Sequence, residues 1–399
     1  MHTGEAPATD PNGIHELIRE RIAPHYGKFA RCGSWRELAR LEEYIAIEPD
    51  IQRVLETPQA GNFSRGDAPA KESYRFLAWN LERGIQYDGQ LLELRTHPYM
   101  KSADVLLLTE TDAGMTRSGN REVAVDLARE LGMYYAFVPC YLNLSKGSGL
   151  EFDVPGENQL GLHGNAILSR YPITHIRAIV LKNGIDKMAG REKRIGRQAA
   201  VAAEIAFPDF AATAVSVHLD ARSTRGHRYQ QMRSILSQVG GVGAAVLGGD
   251  WNTSTYNSSN AALAFCSFWR RVFMGVDNAI RHHYLHPYRK FEKKLFDLLE
   301  DRGFEYRHSN CLGERTVSYY VGDARSAGIL RDWIPAWWLR VMRWALRNHN
   351  GRCPLKLDWF ATRGLQCADP VVIHEVREGR EVPLSDHDAI GVDVRPLTR

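Results

Sequence analysis

Apolar runs of strand type that stop abruptly at a polar residue recur along this chain, and they constrain it more than any other feature. In residues 244–253 the run Ala244-Ala245-Val246-Leu247 ends in Gly248-Gly249, and Asp250 and Asn252 follow two positions apart. A continuous apolar run bounded by turn residues reads as a buried strand. The glycines let the backbone turn with no side chain in the way. Asp250 and Asn252 then emerge beyond the carboxyl end of a strand, where open α/β sheets keep their sites. Taken alone, the same two residues serve equally well as turn formers. Residues 75–84, with Trp79-Asn80-Leu81 at their end, and residues 104–110, which finish at Glu110, repeat the design.

Further strands are expected over 136–144, 165–170, 173–181, 197–207 and 213–219, the last ending in His218. Helices are expected over 121–132, closed by Gly132, and over 229–239. Many strands with few helices between them suggest stacked sheets with helices outside. Residues 1–70 read as an N-terminal helical extension and linker: 1–13 polar, 14–56 helical, 58–71 rich in Pro, Gly, Asn and Ser. Within it Ser34 caps a helix that begins at Trp35 and sets Leu38, Leu41 and Ile45 on one side. Residues 71–399 form the main domain, interrupted by a helical insertion at about 254–350 without clear strand alternation. Its helical parts are 290–301 and 327–348, and strands return at 357–362, 371–374 and 389–394.

Composition sets the outer bounds. At 399 residues, 44% hydrophobic and 25% charged, the chain has the make-up of a soluble globular protein with room for one large core. A net charge of +4 is compatible with a phosphate-bearing substrate without demanding one. The six cysteines are scattered with no Cys-x-x-Cys pair, which argues for reduced thiols rather than a disulfide frame or a zinc site. The first residues lack the basic-then-apolar pattern of a signal peptide, and no apolar run is long enough for a bilayer. A cytoplasmic location is the expectation.

The polar tips taken together are Asn80, Glu110, Asn165, His218, Asp250, Asn252, Asp358, Asp386 and His387. Each has a plain structural alternative. Asn80 is also a turn former, Glu110 a helix N-terminal acid and His218 a core histidine. Asp358 is also an ion-pair partner for Lys356 or Arg363, and residues 385–388 are also a loop bonding its own backbone. That all nine are incidental is much harder to accept, because most sit at the edges of apolar runs.

At these positions the chain resembles the endonuclease/exonuclease/phosphatase superfamily, which has the DNase I-like fold. The matching segments are Trp79-Asn80-Leu81, Leu108-Thr109-Glu110, Gly164-Asn165-Ala166-Ile167-Leu168-Ser169-Arg170, Val217-His218-Leu219, Gly249-Asp250-Trp251-Asn252, Leu357-Asp358-Trp359-Phe360 and Ser385-Asp386-His387. They run in the family's order and cover roughly residues 73–255 and 355–395. The resemblance implies a four-layer α/β sandwich, two mixed β-sheets face to face and flanked by helices. It also implies a divalent-metal-dependent phosphoesterase that cleaves phosphodiester bonds by in-line attack of an activated water. On this likeness Glu110, Asn80 and Asp386 hold the metal, and Asp250 activates the water with Asn252 beside it. His387 and Asp358 form a pair, His218 contacts the phosphate or assists the leaving group, and Asn165 and Arg222 bind substrate. A phosphate ester repels hydroxide, so catalysis needs charge neutralisation and an oriented water. Carboxylate and amide oxygens without cysteine suit Mg²⁺, with Mn²⁺ as a substitute.

The family's substrates range from DNA and RNA to sphingomyelin and inositol phosphates, and choice among them sits on loops. Here the unusual loops are 145–163, 182–196 and the insertion. The insertion carries a Trp/Arg-rich stretch over 333–347, in which Arg340, Arg343, Arg347 and Trp344 share one side of a helix. Such a face fits base stacking and phosphate contact, peripheral contact with a lipid headgroup layer, or a packed helix with a solvated basic side. Segment 218–223, with the basic helix start after it, resembles bacterial phosphodiesterase-like members more than inositol phosphatases. Nucleic acid, DNA or RNA, is the favoured substrate, and a phospholipid or small phosphorylated molecule is the alternative. A catalytically silent binding module is the reading from another class. The retained acidic and histidine tips argue against it.

Overall fold

The structure is a computed structural model, and it describes residues 11–239, 241, 243–255, 261–320 and 336–397. The strands in chain order are β1 Gln59–Asn62, β2 Tyr74–Arg83, β3 Val105–Ala113, β4 Tyr134–Asn143, β5 Leu162–Ser169, β6 Ile173–Val180, β7 Arg194–Gly196 and β8 Ala199–Ala206. They continue as β9 Ala211–Ser216, β10 Ala245–Asp250, β11 Val317–Tyr320, β12 Arg352–Leu355, β13 Asp358–Arg363, β14 Leu365–Ile373 and β15 Ala389–Pro396.

An eight-stranded sheet runs β1-β4-β5-β3-β2-β15-β14, with β7 added on β4; a five-stranded sheet runs β13-β10-β9-β8-β6. Both are mixed, since β2 is parallel to β3 and β10 is parallel to β9 while the other pairs within these two sheets are antiparallel. Alternation along each strand divides the apolar residues between two faces. Phe76, Ala78, Val105, Leu107, Val138, Ile167, Val246 and Phe360 form the core between the sheets. Leu77, Trp79, Leu106 and Leu108 face the other way, onto the helices Tyr87–Thr96 and Val123–Leu131 and onto the N-terminal helices. Ala245, Leu247 and Trp359 face the helices Arg225–Val239 and Lys293–Asp301 on the far side. The result is helices, sheet, sheet, helices: the four-layer sandwich expected from the sequence. Strands buried on both faces explain why the sequence shows continuous apolar runs rather than alternation.

Several local expectations differ from the structure. Ser34 does accept a hydrogen bond from the Glu37 amide at 3.3 Å, but the helix it starts ends at Leu38. A second helix, Glu42–Glu56, begins after Leu41, so Ile45 falls on an exposed face and is not aligned with buried Leu38. The stretch 58–71, read as linker, begins with β1, which pairs with β4. The insertion is not wholly helical, because β11 and β12 pair as a two-stranded sheet. The helix expected over 327–348 is seen as Ala336–Ala345, and its residues before 336 lie outside the described residues. Arg340, Arg343 and Trp344 are exposed as expected, while Arg347 lies past the helix end with its guanidinium 5.0 Å from the Trp344 ring. Met342 and Leu346 turn inward onto a satellite cluster with Ile280, Tyr284, Val317 and Leu357. Among the described residues, no helix is long and apolar enough to cross a membrane.

The glycine pair at the end of β10 is explained by crowding. A Cβ on Gly248 would lie 2.5 Å from the Phe360 ring and 2.8 Å from Leu107 of the facing sheet. Gly249 has φ +134°, and a Cβ there would lie 2.3 Å from the Val217 carbonyl oxygen. Both conformation and contact exclude a larger residue. Gly249→Ala is therefore expected to destabilise the fold by about 2 kcal/mol or more, read as a lower urea midpoint with unchanged slope.

Candidate active site

Strand pairing brings the distant tips together. In the five-stranded sheet Asp250 and Asp358 are direct partners across β10 and β13. β9 runs parallel to β10, and past its end the Val217 amide bonds Gly248 and the Leu219 amide bonds Asp250, so His218 is held beside Gly249. In the other sheet Asn80 pairs with Thr109, next to Glu110. β15 lies on the other side of β2, and the loop before it is tied back twice: Trp79 Nε1 donates to the His387 carbonyl at 3.2 Å, and Ser385 Oγ donates to the Asn80 carbonyl at 2.6 Å. Even-numbered residues of β2 and β10 face the inter-sheet space, and this sets Asn80 against Asp250.

The side chains then close one cluster. Asn80 Nδ2 donates to Asp250 Oδ2 at 3.2 Å, and Asn252 Nδ2 donates to the same oxygen at 3.0 Å. The Asn252 backbone amide donates to Asp250 Oδ1 at 2.9 Å. His387 places Nδ1 2.8 Å from Asp358 Oδ2 and Nε2 3.7 Å from Asp250 Oδ2. His218 Nε2 lies 3.6 Å from Asp250 Oδ2 and 3.8 Å from Glu110 Oε1. Thus Asn80, Glu110, His218, Asp250, Asn252, Asp358 and His387 share one cleft. Asn165 sits deeper: Nδ2 donates to the Ala199 carbonyl at 2.8 Å, and Oδ1 accepts the Glu110 amide at 3.3 Å. In this arrangement it bridges the sheets and positions Glu110. Asp386 is exposed at the rim, where its charge acts on His387. Arg222 is half-buried on the basic side of the cleft, with its amide on Asp220.

Electrostatics follow from burial. Burial pushes the Asp250 carboxyl up to about 8; Asp358 and Glu110 act in the same direction and His387 opposes them. Burial works against a charged His387, but Asp358, Asp250 and Asp386 overcome it and hold the imidazole well above its ordinary value. Burial likewise opposes charge on Glu110, yet Arg83, with His218, His163 and His387, holds that carboxyl well below the usual range. His218 is lowered to about 4 by burial, only partly countered by Glu110. The site at neutral pH therefore contains a charged His387, a neutral His218 and an ionised Glu110. Glu110 and Asn252 both have positive φ, 52° and 50°. For non-glycine residues this conformation costs ~1–3 kcal/mol and is held only by surrounding structure.

The donor set fits a hard divalent cation at Glu110. Its carboxylate is partly open, with His218 Nε2 3.8 Å from Oε1. Asp250 adds a second carboxylate and Asn80 a carbonyl oxygen that also accepts the Glu82 amide at 3.0 Å. Asp250, Asp358 and His387 also bring ligand-type atoms within 4.8 Å of one another. There the His387 nitrogen nearer Asp358 is already hydrogen-bonded to it, so that trio is better described as a histidine–carboxylate pair beside a second carboxylate.

Supporting residues escaped the sequence analysis. Thr316 Oγ1 accepts the Leu357 and Asp358 amides at 3.0 and 3.1 Å, fixing Asp358 from within the insertion. Arg83 reaches Glu151 at 3.1 Å. Buried Arg117 bonds Asp112, Glu151 and Glu192, which joins the loops 145–163 and 182–196 to β3. No pattern in the chain announces these; a lone Thr or Arg in a loop carries no spacing to read.

The strand tips of two facing sheets thus bring carboxylates and histidines into one cleft. The sequence profile described as "Endonuclease/Exonuclease/phosphatase family" matches residues 77–387, and this chain belongs to that family. Members of the superfamily are hydrolases acting on phosphoester bonds, generally dependent on divalent metals. Among solved structures, similarity is found to an endonuclease/exonuclease/phosphatase from Beutenbergia cavernae (13% identity, 82% of this chain and 72% of that one, TM-score 0.47). It is also found to a 3′-5′ exonuclease from Neisseria meningitidis (14% identity, 80% and 98%, TM-score 0.44) and to beta toxin from Staphylococcus aureus (14%, 80% and 99%, TM-score 0.45). A search of curated protein sequences returned no match.

The network under the cleft sets its acid sensitivity. Burial alone would raise Glu192, but Arg194, Arg117 and Arg83 hold it well below its ordinary value. A carboxyl depressed in the folded state adds stability that is present above its unfolded pKa of ~4.3 and is lost as pH falls through the folded value. Glu192→Gln is expected to cost about 3 kcal/mol at pH 7 by urea unfolding, with the difference from the parent shrinking steadily below pH ~4.

Proposed function

We propose that this protein is a Mg²⁺-dependent phosphodiesterase in which Asp250 activates the attacking water, and the observation that carries this is the Asp250 environment. Its carboxylate is oriented by three hydrogen bonds from Asn80 and Asn252 and faces two imidazoles, an arrangement with no need unless the group works. Glu110 would hold the ion together with buried Asn80 and, from the rim, Asp386. When bound, the ion neutralises charge on the phosphate and favours ionised Asp250. Mn²⁺ would substitute.

The protein's own residues supply the rest. Asp358 accepts a hydrogen bond from His387 Nδ1–H, which fixes the ring and favours its charged form, so its Nε2–H is offered to a phosphate oxygen. His218, neutral, contacts a second phosphate oxygen. Asn252 is braced by the Leu219 carbonyl at 2.9 Å and keeps Asp250 aimed. Water attacks phosphorus in line, its proton passes to Asp250, and the ester P–O bond opposite breaks. Nucleic acid is the favoured substrate, supported by the exposed basic and aromatic surface of Arg340, Arg343, Trp344 and Arg347.

Hydrolysis of bis-p-nitrophenyl phosphate with Mg²⁺, abolished by EDTA, tests the reading. Glu110→Gln, Asp250→Asn and His387→Gln should each reduce it at least ~100-fold while leaving circular dichroism unchanged. Undiminished turnover in any of them would overturn the assignment. A panel of single- and double-stranded DNA, abasic DNA, RNA, sphingomyelin and inositol phosphates then selects the substrate class. The base must be ionised, and without a cation Asp250 keeps its proton up to about 8. Activity should therefore rise with pH on the acidic side, and raising Mg²⁺ should move that limb to lower pH in rate profiles.

A further inference from the structure

The hydrolysis above leaves the proton for the departing oxygen without a source. His218 Nε2 is directed at Asp250 and Glu110, and His387 faces Asp250, on the side of the water. A third imidazole stands in the same inter-sheet space. His163 is on β5, two residues before Asn165 and four before Ile167, so the three side chains share a face. That face is turned to the five-stranded sheet: Ile167 packs in the inter-sheet core and Asn165 bonds Ala199 of β8. The register pairs His163 with Asp112 of β3, two residues past Glu110, and with Tyr141 of β4.

Asp112 Oδ1 is 2.7 Å from His163 Nδ1. Fully buried Arg117 donates to both oxygens of the same carboxylate, at 2.7 and 3.0 Å, and fixes it. The Tyr141 ring stacks along the imidazole with centroids 6.4 Å apart at 26°. Orientation and tautomer are thus set from behind: Nδ1–H goes to the carboxylate, and Nε2 makes no hydrogen bond among the described residues. Its nearness to the cleft is felt at Glu110 and at His218. The construction repeats that of His387 and Asp358, with a guanidinium added behind the carboxylate. A histidine serving only the core would be expected to pair both nitrogens.

We propose that His163 is a catalytic residue for the same reaction, the general acid that protonates the leaving oxygen, with Asp112 and Arg117 as its positioning residues. This rests on the phosphodiesterase reading. In the step, the water oxygen–phosphorus bond forms as the ester P–O bond breaks; the water proton goes to Asp250 and the Nε2 proton of imidazolium His163 goes to the leaving oxygen. Solvent then restores both groups.

A general acid matters in proportion to the basicity of what leaves. Phenol is a weaker acid than p-nitrophenol, so diphenyl phosphate needs the proton far more than bis-p-nitrophenyl phosphate does. His163→Gln and His163→Asn are each expected to lose about 100-fold or more in kcat/KM on diphenyl phosphate, and less than about 10-fold on bis-p-nitrophenyl phosphate. Turnover of the nitrophenyl ester by the variants shows that they fold. Equal losses on the two esters, or no loss on either, would overturn the role given to His163 while leaving the phosphodiesterase reading intact. Failure of the parent protein on both esters with Mg²⁺ would instead overturn that reading and the inference with it.

Discussion

Three carboxylates, Glu110, Asp250 and Asp358, are drawn together between two sheets, and the rest of the site answers their mutual repulsion. In a low-dielectric cleft such a cluster is tolerated only with compensating charge and donors. The compensation here is uneven. Glu110 receives Arg83 and the histidines and stays ionised, and Asp358 accepts a hydrogen bond from His387 Nδ1–H. Asp250 is pushed up to about 8 by burial, with Asp358 and Glu110 adding to it, against the amide donor of Asn252 and the charge of His387. The protein thus fixes which carboxylate is a permanent anion and which is poised to exchange a proton. That division of labour is what a base beside an anionic ligand requires.

The same constraint explains the strained backbone. A carboxylate that follows directly on a straight strand would point along the alternation, into the core or into the helices. At Glu110 the register slips between Leu108 and Thr111, and φ turns positive. At Asn252 the chain does the same just past β10. Both departures re-aim one polar side chain at the price of local strain, and both are held by bonds from the neighbouring strand, Asn165 to the Glu110 amide and the Leu219 carbonyl to the Asn252 side chain. Bulges beside sites have this function generally.

These relations show why the fold and the centre were legible in the chain and the surroundings were not. Buried strands in a sandwich need unbroken apolar runs, and a polar residue at the end of such a run is visible without any structure. Asn80, Glu110, His218, Asp250 and Asp358 could all be picked out in that way. His163 and Asp112 could not, since each lies inside a segment whose neighbours mask it: Asp112 follows Glu110 within β3, and His163 opens a strand read as starting at Asn165. Arg117, Glu151 and Glu192 come from three separate loops, and only packing reveals that they form one network. The short pair β11 and β12 was missed because each strand has only four residues, too few for alternation to register.

That small sheet changes what the insertion is. A purely peripheral decoration would leave the centre intact when altered. Here Val317 of β11 bridges to His387, and its neighbour Thr316 takes the Asp358 amide and carbonyl-bonds the amide of Asp388 at 2.8 Å. The backbone of the insertion therefore lies against both members of the His387–Asp358 pair. The exposed helix Ala336–Ala345 rests through Met342 on the same satellite cluster as Val317 and Leu357. Whatever surface that helix meets is mechanically one cluster away from the residue before Asp358. On the phosphodiesterase reading proposed above, substrate choice and catalytic geometry would not be separable as loops and scaffold usually are, because the insertion that offers the basic, aromatic surface also braces the His387–Asp358 pair.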